Sequence, residues 1–303
     1  MRYRPLAHLP MAVSTISLHL DDRVPRSVAE WATLTMAALD CGINGFEISG
    51  RSPALVDGVA QALRTVERRL IHLTWRFGPS AMPTAHAANA FSAAGMLGLA
   101  RAVTTRTGLG YLDLAILDDP GRQDLSGEGL HTLRQMKSGG LLRALGIAGR
   151  GEEIDVYIAT GAFDVLATPF NMLSGWRDRN RLKAAGERNM SVFGYDPYPK
   201  ALATLGETAA RAGKGLLGWN KKSDRLVPDP YSFLNATHDW SAEDICVAYA
   251  LTEPGLASLQ VEPRSVAHLQ TLAAVAEREL PAGLPAQIEM SRFAGGDKDA
   301  RRA

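Results

Sequence analysis

Carboxylates and cations occur in this sequence at points where predicted strands end. Glu47 lies inside the apolar stretch "GFEIS", Arg51 and Ser52 follow it, and Asp118 is the penultimate residue of "YLDLAILDD". A carboxylate in partly buried surroundings has a raised pKa and can exchange protons with a bound molecule. These residue types therefore indicate general acid–base chemistry on a small polar substrate.

Other polar side chains follow the remaining predicted strands, so that a mixed-charge mouth is expected where the strands end. Arginine can clamp a carboxylate or phosphate with two parallel hydrogen bonds, and a tyrosine phenol can serve as an acid. We predict that the catalytic residues are Asp118, Glu47 and Tyr195. The predicted substrate-binding residues are Arg51, Ser52, Trp75, Arg76, Arg150, Asp196 and His19.

Several of these residues also have a purely structural interpretation. Glu47 can form a salt bridge with Arg51 or Arg76 instead of taking part in catalysis. Trp75 can stack on a ring of the substrate or simply fill space. The glycine-rich segment "GKGLLGWNKKSD" (213–224) matches no phosphate-binding loop, and it can close over a ligand or lie exposed.

Metal binding is not predicted. His19 and two carboxylates would be a suitable ligand set, but the sequence contains no recognisable ligand spacing. The two cysteines, Cys41 and Cys246, have no metal spacing either, and we expect free thiols in a reducing compartment.

Composition narrows the range of partners. The 303 residues carry a net charge of +1, and no block of like charge suggests nucleic acid or an anionic membrane as a partner. No apolar run approaches the roughly 20 residues that span a bilayer, and the first residues do not form a signal peptide. We therefore expect a cytoplasmic protein that binds a small molecule.

Helical and strand patterns alternate along almost the whole chain. "VAEWATLTMAALDCG" has apolar residues on one helical face and ends at Gly42, and "SAEDICVAYAL" begins with an N-cap serine, Ser241. Eight strand-and-helix units in succession predict an α/β fold of the (β/α)8 (TIM) barrel type. We expect one domain over residues 1–290 and a polar, disordered tail over 291–303.

The order of these segments resembles the aldo-keto reductase superfamily. "MRYRPLAHLPMAVSTISL" is similar to its opening β-hairpin and first strand, "ALDCGINGFEIS" to its second strand, and "YLDLAILDDP" to its fourth. "FDVLATPFNML", "VFGYDPY" and "YALTEPGLASLQVEPRSVAHL" resemble later segments. The resemblance implies a (β/α)8 barrel with an N-terminal hairpin and NADPH-dependent carbonyl reduction by Asp, Tyr, Lys and His.

At the four catalytic positions the chain departs from that family. Alignment puts Glu47 in place of the aspartate, Ser52 in place of the tyrosine, Trp75 in place of the lysine and Asp118 in place of the histidine. His19 stands near the end of the first strand, where the family tends to have glycine.

The cofactor positions have changed as well. Ala148 and Gly149 replace the polar pair that holds the nicotinamide carboxamide, and Glu262 stands near the adenosine phosphate, which it would repel. If NADPH is retained, the resemblance assigns its binding to Tyr195, Asn171 and Arg264.

Three functions remain open at this point. We expect first a repurposed enzyme that performs a lyase, dehydratase or isomerase step without a cofactor on a small, anionic substrate. The second alternative is an NAD(P)H-dependent oxidoreductase with an unorthodox active site. The third is a non-catalytic binding or partner protein.

Overall fold

The computed structural model describes residues 1–6, 9, 11–79, 90–204, 231 and 233–300. The glycine-rich segment 213–224 lies outside these residues. In the described part, eight parallel strands close into a barrel in the order β10-β3-β4-β5-β6-β7-β8-β9. Their bounds are β3 (Ile16–Leu20), β4 (Gly45–Ile48), β5 (His72–Phe77), β6 (Leu112–Asp118), β7 (Leu142–Ala148), β8 (Val165–Pro169), β9 (Ser191–Tyr195) and β10 (Leu256–Val261).

Helices connect these strands and cover the outside of the barrel. They are α1 (Val28–Asp40), α2 (Pro53–Leu63), α3 (Ala93–Thr107), α4 (Gly127–Ser138), α5 (Glu153–Thr160), α6 (Trp176–Glu187), α7 (Phe233–Ala236), α8 (Ala242–Leu251), α9 (Val266–Val275) and α10 (Leu284–Ala300). A short 3-10 helix covers Arg68–Leu70. The predicted (β/α)8 fold is confirmed, and none of the described helices is long and apolar enough to cross a bilayer.

Local sequence signals explain where the helices begin. Ser27 caps α1. Its hydroxyl accepts a hydrogen bond from the Glu30 amide, and its own amide donates to the Glu30 carboxylate. Ser241 caps α8 in the same way with Asp244, as the sequence predicts. The caps satisfy amide groups that have no partner inside the helix, and so they fix the residue at which each helix begins after its loop.

An antiparallel hairpin, β1 (Tyr3–Pro5) with β2 (Ala12–Ser14), covers the N-terminal end of the barrel, as the resemblance implies. Leu6 and Val13 are buried among inward-facing barrel residues such as Leu114 and Val165. Arg4 donates to the carbonyl oxygens of Leu251 and Glu253. Because this end is closed, the cavity of the barrel opens only toward the C-terminal ends of the strands within the described part of the chain.

The expected disordered tail from residue 291 differs from the structure, which continues α10 to Ala300. Two contacts hold the start of this segment. Ser291 is buried and donates to the Gln287 carbonyl, and Arg292 donates to the Ser174 carbonyl oxygen at 2.8 Å.

Helices α1 and α2 pack closely at Gly58, which gives a stability test. A Cβ atom at Gly58 would lie 2.5 Å from Trp31 Cβ and 2.5 Å from the Val28 carbonyl oxygen. We expect Gly58→Ala to lower the free energy of unfolding by about 1–3 kcal/mol, because α1 must shift to make room.

Gly98 in α3 is the matched control, since a Cβ atom there meets nothing within 4 Å. Gly98→Ala should raise stability by about 0.5–1 kcal/mol through helix propensity. Urea unfolding of both variants is the measurement. Equal stabilisation by the two alanines would refute the close packing of α1 on α2.

Candidate active site

A cavity of about 730 Å³ opens at the C-terminal ends of the barrel strands. Such mouths are where (β/α)8 proteins place their functional residues. The predicted site residues that line it are His19, Arg76, Asp118, Arg150, Tyr195, Asp196 and Arg264. These predicted residues therefore lie together around one cavity, and their roles in function remain predictions.

Arg76, the penultimate residue of β5, lies at the centre of the mouth and is only 6% exposed. Its Nε donates to Glu47 Oε1 at 2.7 Å, and its Nη1 donates to Asp118 Oδ1 at 2.9 Å. Gln260 of β10 completes the network, since its amide donates to Glu47 Oε2 at 2.6 Å. One guanidinium group therefore holds carboxylates from two different strands.

Glu47 in β4 is 2% exposed, and all of its hydrogen bonds go to neighbouring protein groups. Burial raises the pKa of this carboxyl, but the Arg76 charge and the hydrogen bond from His19 outweigh burial and lower the pKa to about 2. Glu47 is consequently an anion at neutral pH. The contacts favour an electrostatic role for Glu47 over the predicted proton exchange.

Asp118 ends β6 and differs from Glu47 in its exposure, because 31% of its side chain is accessible. Oδ1 accepts from Arg76, while Oδ2 accepts no hydrogen bond from any residue that the structure describes. Asp118 therefore presents one fixed and one available carboxylate oxygen to the cavity. This is the arrangement that a general base requires.

Tyr195 ends β9 between two arginines. The guanidinium carbons of Arg76 and Arg150 each lie 5.4 Å from the centre of its ring. Burial raises the pKa of the phenol, and the two guanidinium charges only partly offset this effect. Tyr195 is accordingly a neutral hydrogen-bond donor at neutral pH. Arg150, which is 62% exposed, bonds Asp196 at 3.1 Å.

Two residues at this mouth have backbone conformations that residues other than glycine rarely adopt. Asp119, after β6, has φ of 50°, and Asp196, after β9, has φ of 56°. Each such residue costs free energy, and they concentrate at functional sites. Here they turn the chain sharply where Asp118 and Tyr195 face the cavity.

Trp75 does not line the mouth, contrary to our expectation. Side chains alternate between the two faces of a strand, and Arg76 points into the barrel, so Trp75 points outward. It is 2% exposed and belongs to the apolar core between barrel and helices. Arg76, and not Trp75, is therefore the β5 side chain that faces the cavity.

Three further predicted residues lie beside the cavity and not in its wall. The backbone amides of Arg51 and Ser52 donate to Asp22 Oδ2, and Ser52 is the N-cap residue directly before α2. Asn171 donates from its side chain to the Asp196 carbonyl at 3.0 Å and is 7% exposed. These residues support the loops around the mouth. Arg264 lines the rim, where it bonds Glu243 at 2.9 Å.

Nine polar lining residues were not among the predicted site residues: Asp21, Asp22, Arg23, Ser49, Tyr198, Lys200, Glu243, Gln260 and Glu262. The position of Gln260 could have been predicted from the sequence. It is two residues from both Ser258 and Glu262 along β10, so the three side chains share the inward face. Asp21, Asp22 and Arg23 follow β3 directly, where a mouth residue is expected. Glu243 lies on α8, and no strand-end argument leads to it.

Comparisons with known proteins agree with this architecture. The sequence profile described as the Aldo/keto reductase family matches residues 26–290. Among solved structures, the holo and apo forms of the aldo-keto reductase AKR11C1 from Bacillus halodurans resemble the chain, with TM-scores of 0.72 and 0.71. Both have 17% sequence identity over 96% of each chain, which supports the fold alone. No curated protein gives a significant sequence match.

The buried pair of Glu47 and Arg76 generates a prediction about stability. We expect Glu47→Gln to lower the free energy of unfolding at pH 7 by about 3–5 kcal/mol, because a buried guanidinium loses a counter-charge. The Glu47 carboxylate stabilises the fold fully above its ordinary pKa of 4.5, and this contribution is lost as the pH falls toward about 2. Stability of the variant should therefore fall less steeply across that window.

Urea unfolding between pH 7 and pH 3 measures this effect. Asp57→Asn is the matched control, since it breaks an exposed pair with Arg106 in which both side chains are more than 40% accessible. Exposed pairs contribute little, so this control should unfold almost as the native chain does. Equal losses in the two variants would contradict the central role of Glu47.

Proposed function

The chain belongs to the aldo/keto reductase family, and we propose that its cavity performs proton transfer on a small anionic molecule without a nicotinamide cofactor. The observation that carries this proposal is Asp118, whose free Oδ2 faces a cavity of about 730 Å³ while Arg76 fixes Oδ1. A fixed carboxylate at the wall of a partly closed cavity is suited to take a proton from a bound substrate. Lyase, dehydratase and isomerase steps all require such a base.

The other groups of the mouth fit complementary roles. The neutral phenol of Tyr195 can donate a hydrogen bond or a proton to an oxygen that becomes negative in the reaction. Arg150 has one partner, Asp196, and a largely exposed guanidinium, so it can turn to a substrate carboxylate or phosphate. Glu47 and Gln260 hold Arg76, and through it Asp118, in place.

The residues of the mouth do not fit NADPH. The positions that the family resemblance assigns to the nicotinamide carboxamide and its neighbours carry Ala148 and Ala167, both fully buried and apolar. Glu262, close to the expected adenosine phosphate, already forms an ion pair with Arg23. Arg264, the candidate phosphate contact, is paired with Glu243. Glu262 would repel the adenosine phosphate of the cofactor, and the proposed proton transfer does not require NADPH.

Nicotinamide-dependent reduction is the second candidate, and one observation favours it. Tyr195 brings a phenol into the cavity beside the guanidinium of Arg76, which is a tyrosine next to a cation, as in the reductases that the family name describes. The raised pKa of Tyr195 makes it a weaker acid than that chemistry needs, and for this reason we rank it second.

Partners and location follow from the same reasoning. A small molecule is the partner that suits a cavity of this size, and a neutral overall charge gives no reason to add nucleic acid. Cys41 and Cys246 are free thiols, which suits a reducing compartment, so a cytoplasmic location is part of the proposal.

Substitution of Asp118 tests the proposed base. Carbonyl-bearing small carboxylates and phosphates would be incubated with the protein in D2O without nucleotide, and exchange or conversion followed by NMR. Asp118→Asn should reduce the rate about 100-fold or more, because the amide cannot accept the proton. Asp124→Asn is the control, since Asp124 lies in the same loop but only accepts from the Gly121 amide. An unchanged rate in Asp118→Asn would refute the assignment.

Cofactor titration separates the two candidate functions. We expect no change in tryptophan fluorescence or calorimetric heat up to millimolar NADPH and NADP+, because the buried Ala148 and Ala167 offer the carboxamide no polar side chain and Glu262 would repel the phosphate. Saturable binding in the micromolar range would overturn this expectation and favour the modified reductase. If neither turnover nor cofactor binding is found, a non-catalytic binding function gains support.

A further inference from the structure

Three side chains at one edge of the cavity form a compact set of metal-ligand types. His19 belongs to β3, Asp21 follows β3, and Glu262 follows the neighbouring strand β10. His19 Nε2 lies 4.0 Å from Asp21 Oδ2 and 3.8 Å from Glu262 Oε1, and one ligand atom from each residue falls within 4.8 Å of the others. We propose that His19, Asp21 and Glu262 bind a divalent transition-metal ion.

The orientation of the imidazole supports this assignment independently of the two carboxylates. His19 Nδ1 lies 2.6 Å from Oε1 of Glu47, which is buried and held by Arg76. A carboxylate on one ring nitrogen fixes the tautomer and aims the other nitrogen, and metal-binding histidines almost always have such a partner. Glu47 itself lies outside the proposed ligand set.

The position of His19 Nε2 suits a metal-ligand atom. The imidazole is 13% exposed, and Nε2 makes no hydrogen bond to any described residue, because both carboxylates lie beyond hydrogen-bond distance. An ion bound at about 2.0–2.2 Å from each ligand atom would require the carboxylates to approach by less than an ångström.

The negative charges beside His19 favour a bound cation. Asp21 and Glu262 bring two negative charges, and Arg23 is the residue that bridges them, with its Nη2 2.6 Å from Glu262 Oε2. Arg23 is 68% exposed and can leave at little cost. A divalent ion would neutralise both carboxylates, whereas one guanidinium neutralises one. Glu262 bonds Arg23 through Oε2, so that Oε1 is the oxygen that faces His19.

The ligand types specify the class of ion. One imidazole nitrogen and two carboxylate oxygens suit Zn²⁺, Mn²⁺, Fe²⁺ or Co²⁺ better than Ca²⁺ or Mg²⁺, which prefer oxygen alone. Three protein ligands leave a coordination position open, and His19, Asp21 and Glu262 all line the cavity, so a bound water or substrate oxygen would complete the shell there. This is the pattern of a reactive metal site and not of a structural one.

Co²⁺ and Zn²⁺ titrations of the full chain, stripped with chelator, test the proposal. We expect one ion per chain with micromolar or tighter affinity, and a visible Co²⁺ absorption band that reports nitrogen and oxygen ligands. His19→Ala and Glu262→Gln should abolish the band. Glu47→Gln should weaken binding about 10–100-fold by releasing the imidazole. Circular dichroism checks that each variant is folded.

Two variants sharpen the test. His268→Ala is the matched control, because His268 also lies beside a carboxylate at the mouth, 3.1 Å from Glu243, but lacks the second one. It should bind as the native chain does. Arg23→Gln removes the competing cation and should tighten binding at least several-fold, a gain that misfolding cannot produce. Absence of stoichiometric binding in both the native chain and Arg23→Gln would refute the site, as would equal loss in His19→Ala and His268→Ala.

Discussion

The buried guanidinium of Arg76 is the constraint around which the C-terminal end of the barrel is organised. A cation that is 6% exposed is tolerated only with compensating charge and hydrogen bonds, and these come from Glu47, Asp118 and Gln260. The partners lie on β4, β6 and β10, so one side chain fixes the relative positions of four strands. Each of those partners then has a secondary effect on the cavity.

Glu47 transmits the constraint to His19. Because Arg76 keeps the carboxylate anionic, Glu47 can hold the imidazole at 2.6 Å and turn its second nitrogen toward Asp21 and Glu262. Asp118 transmits it in the other direction, since one oxygen is held and the other is left for the cavity. The two chemically interesting edges of the mouth therefore depend on a single buried pair, and neither edge would be ordered by its own contacts alone.

Much of this architecture follows from sequence patterns, and the failures have identifiable physical causes. Alternating strand and helix signals and N-cap residues such as Ser241 suffice for the barrel, because both depend on local spacing. The inward face of β5 had a signal that the prediction of Trp75 ignored, since polar His72, Thr74 and Arg76 alternate with apolar Leu73, Trp75 and Phe77. Both Trp75 and Arg76 were predicted to line the mouth, and the alternation allows only Arg76 to do so. Asp21 and Glu262 meet only because β3 pairs with β10, a closure between the first and last barrel strands that no local pattern reports.

The identity of the cation at the end of β5 also determines which chemistry the mouth can perform. A guanidinium has several donors in a fixed plane, and here they are divided between Glu47 and Asp118, whereas an amine presents one compact charge. Burial raises the pKa of the neighbouring Tyr195 phenol, and the charge of Arg76 offsets that rise only in part. Under the proposed function, the proton is therefore taken by the carboxylate of Asp118, and the phenol of Tyr195 stays neutral as a hydrogen-bond donor.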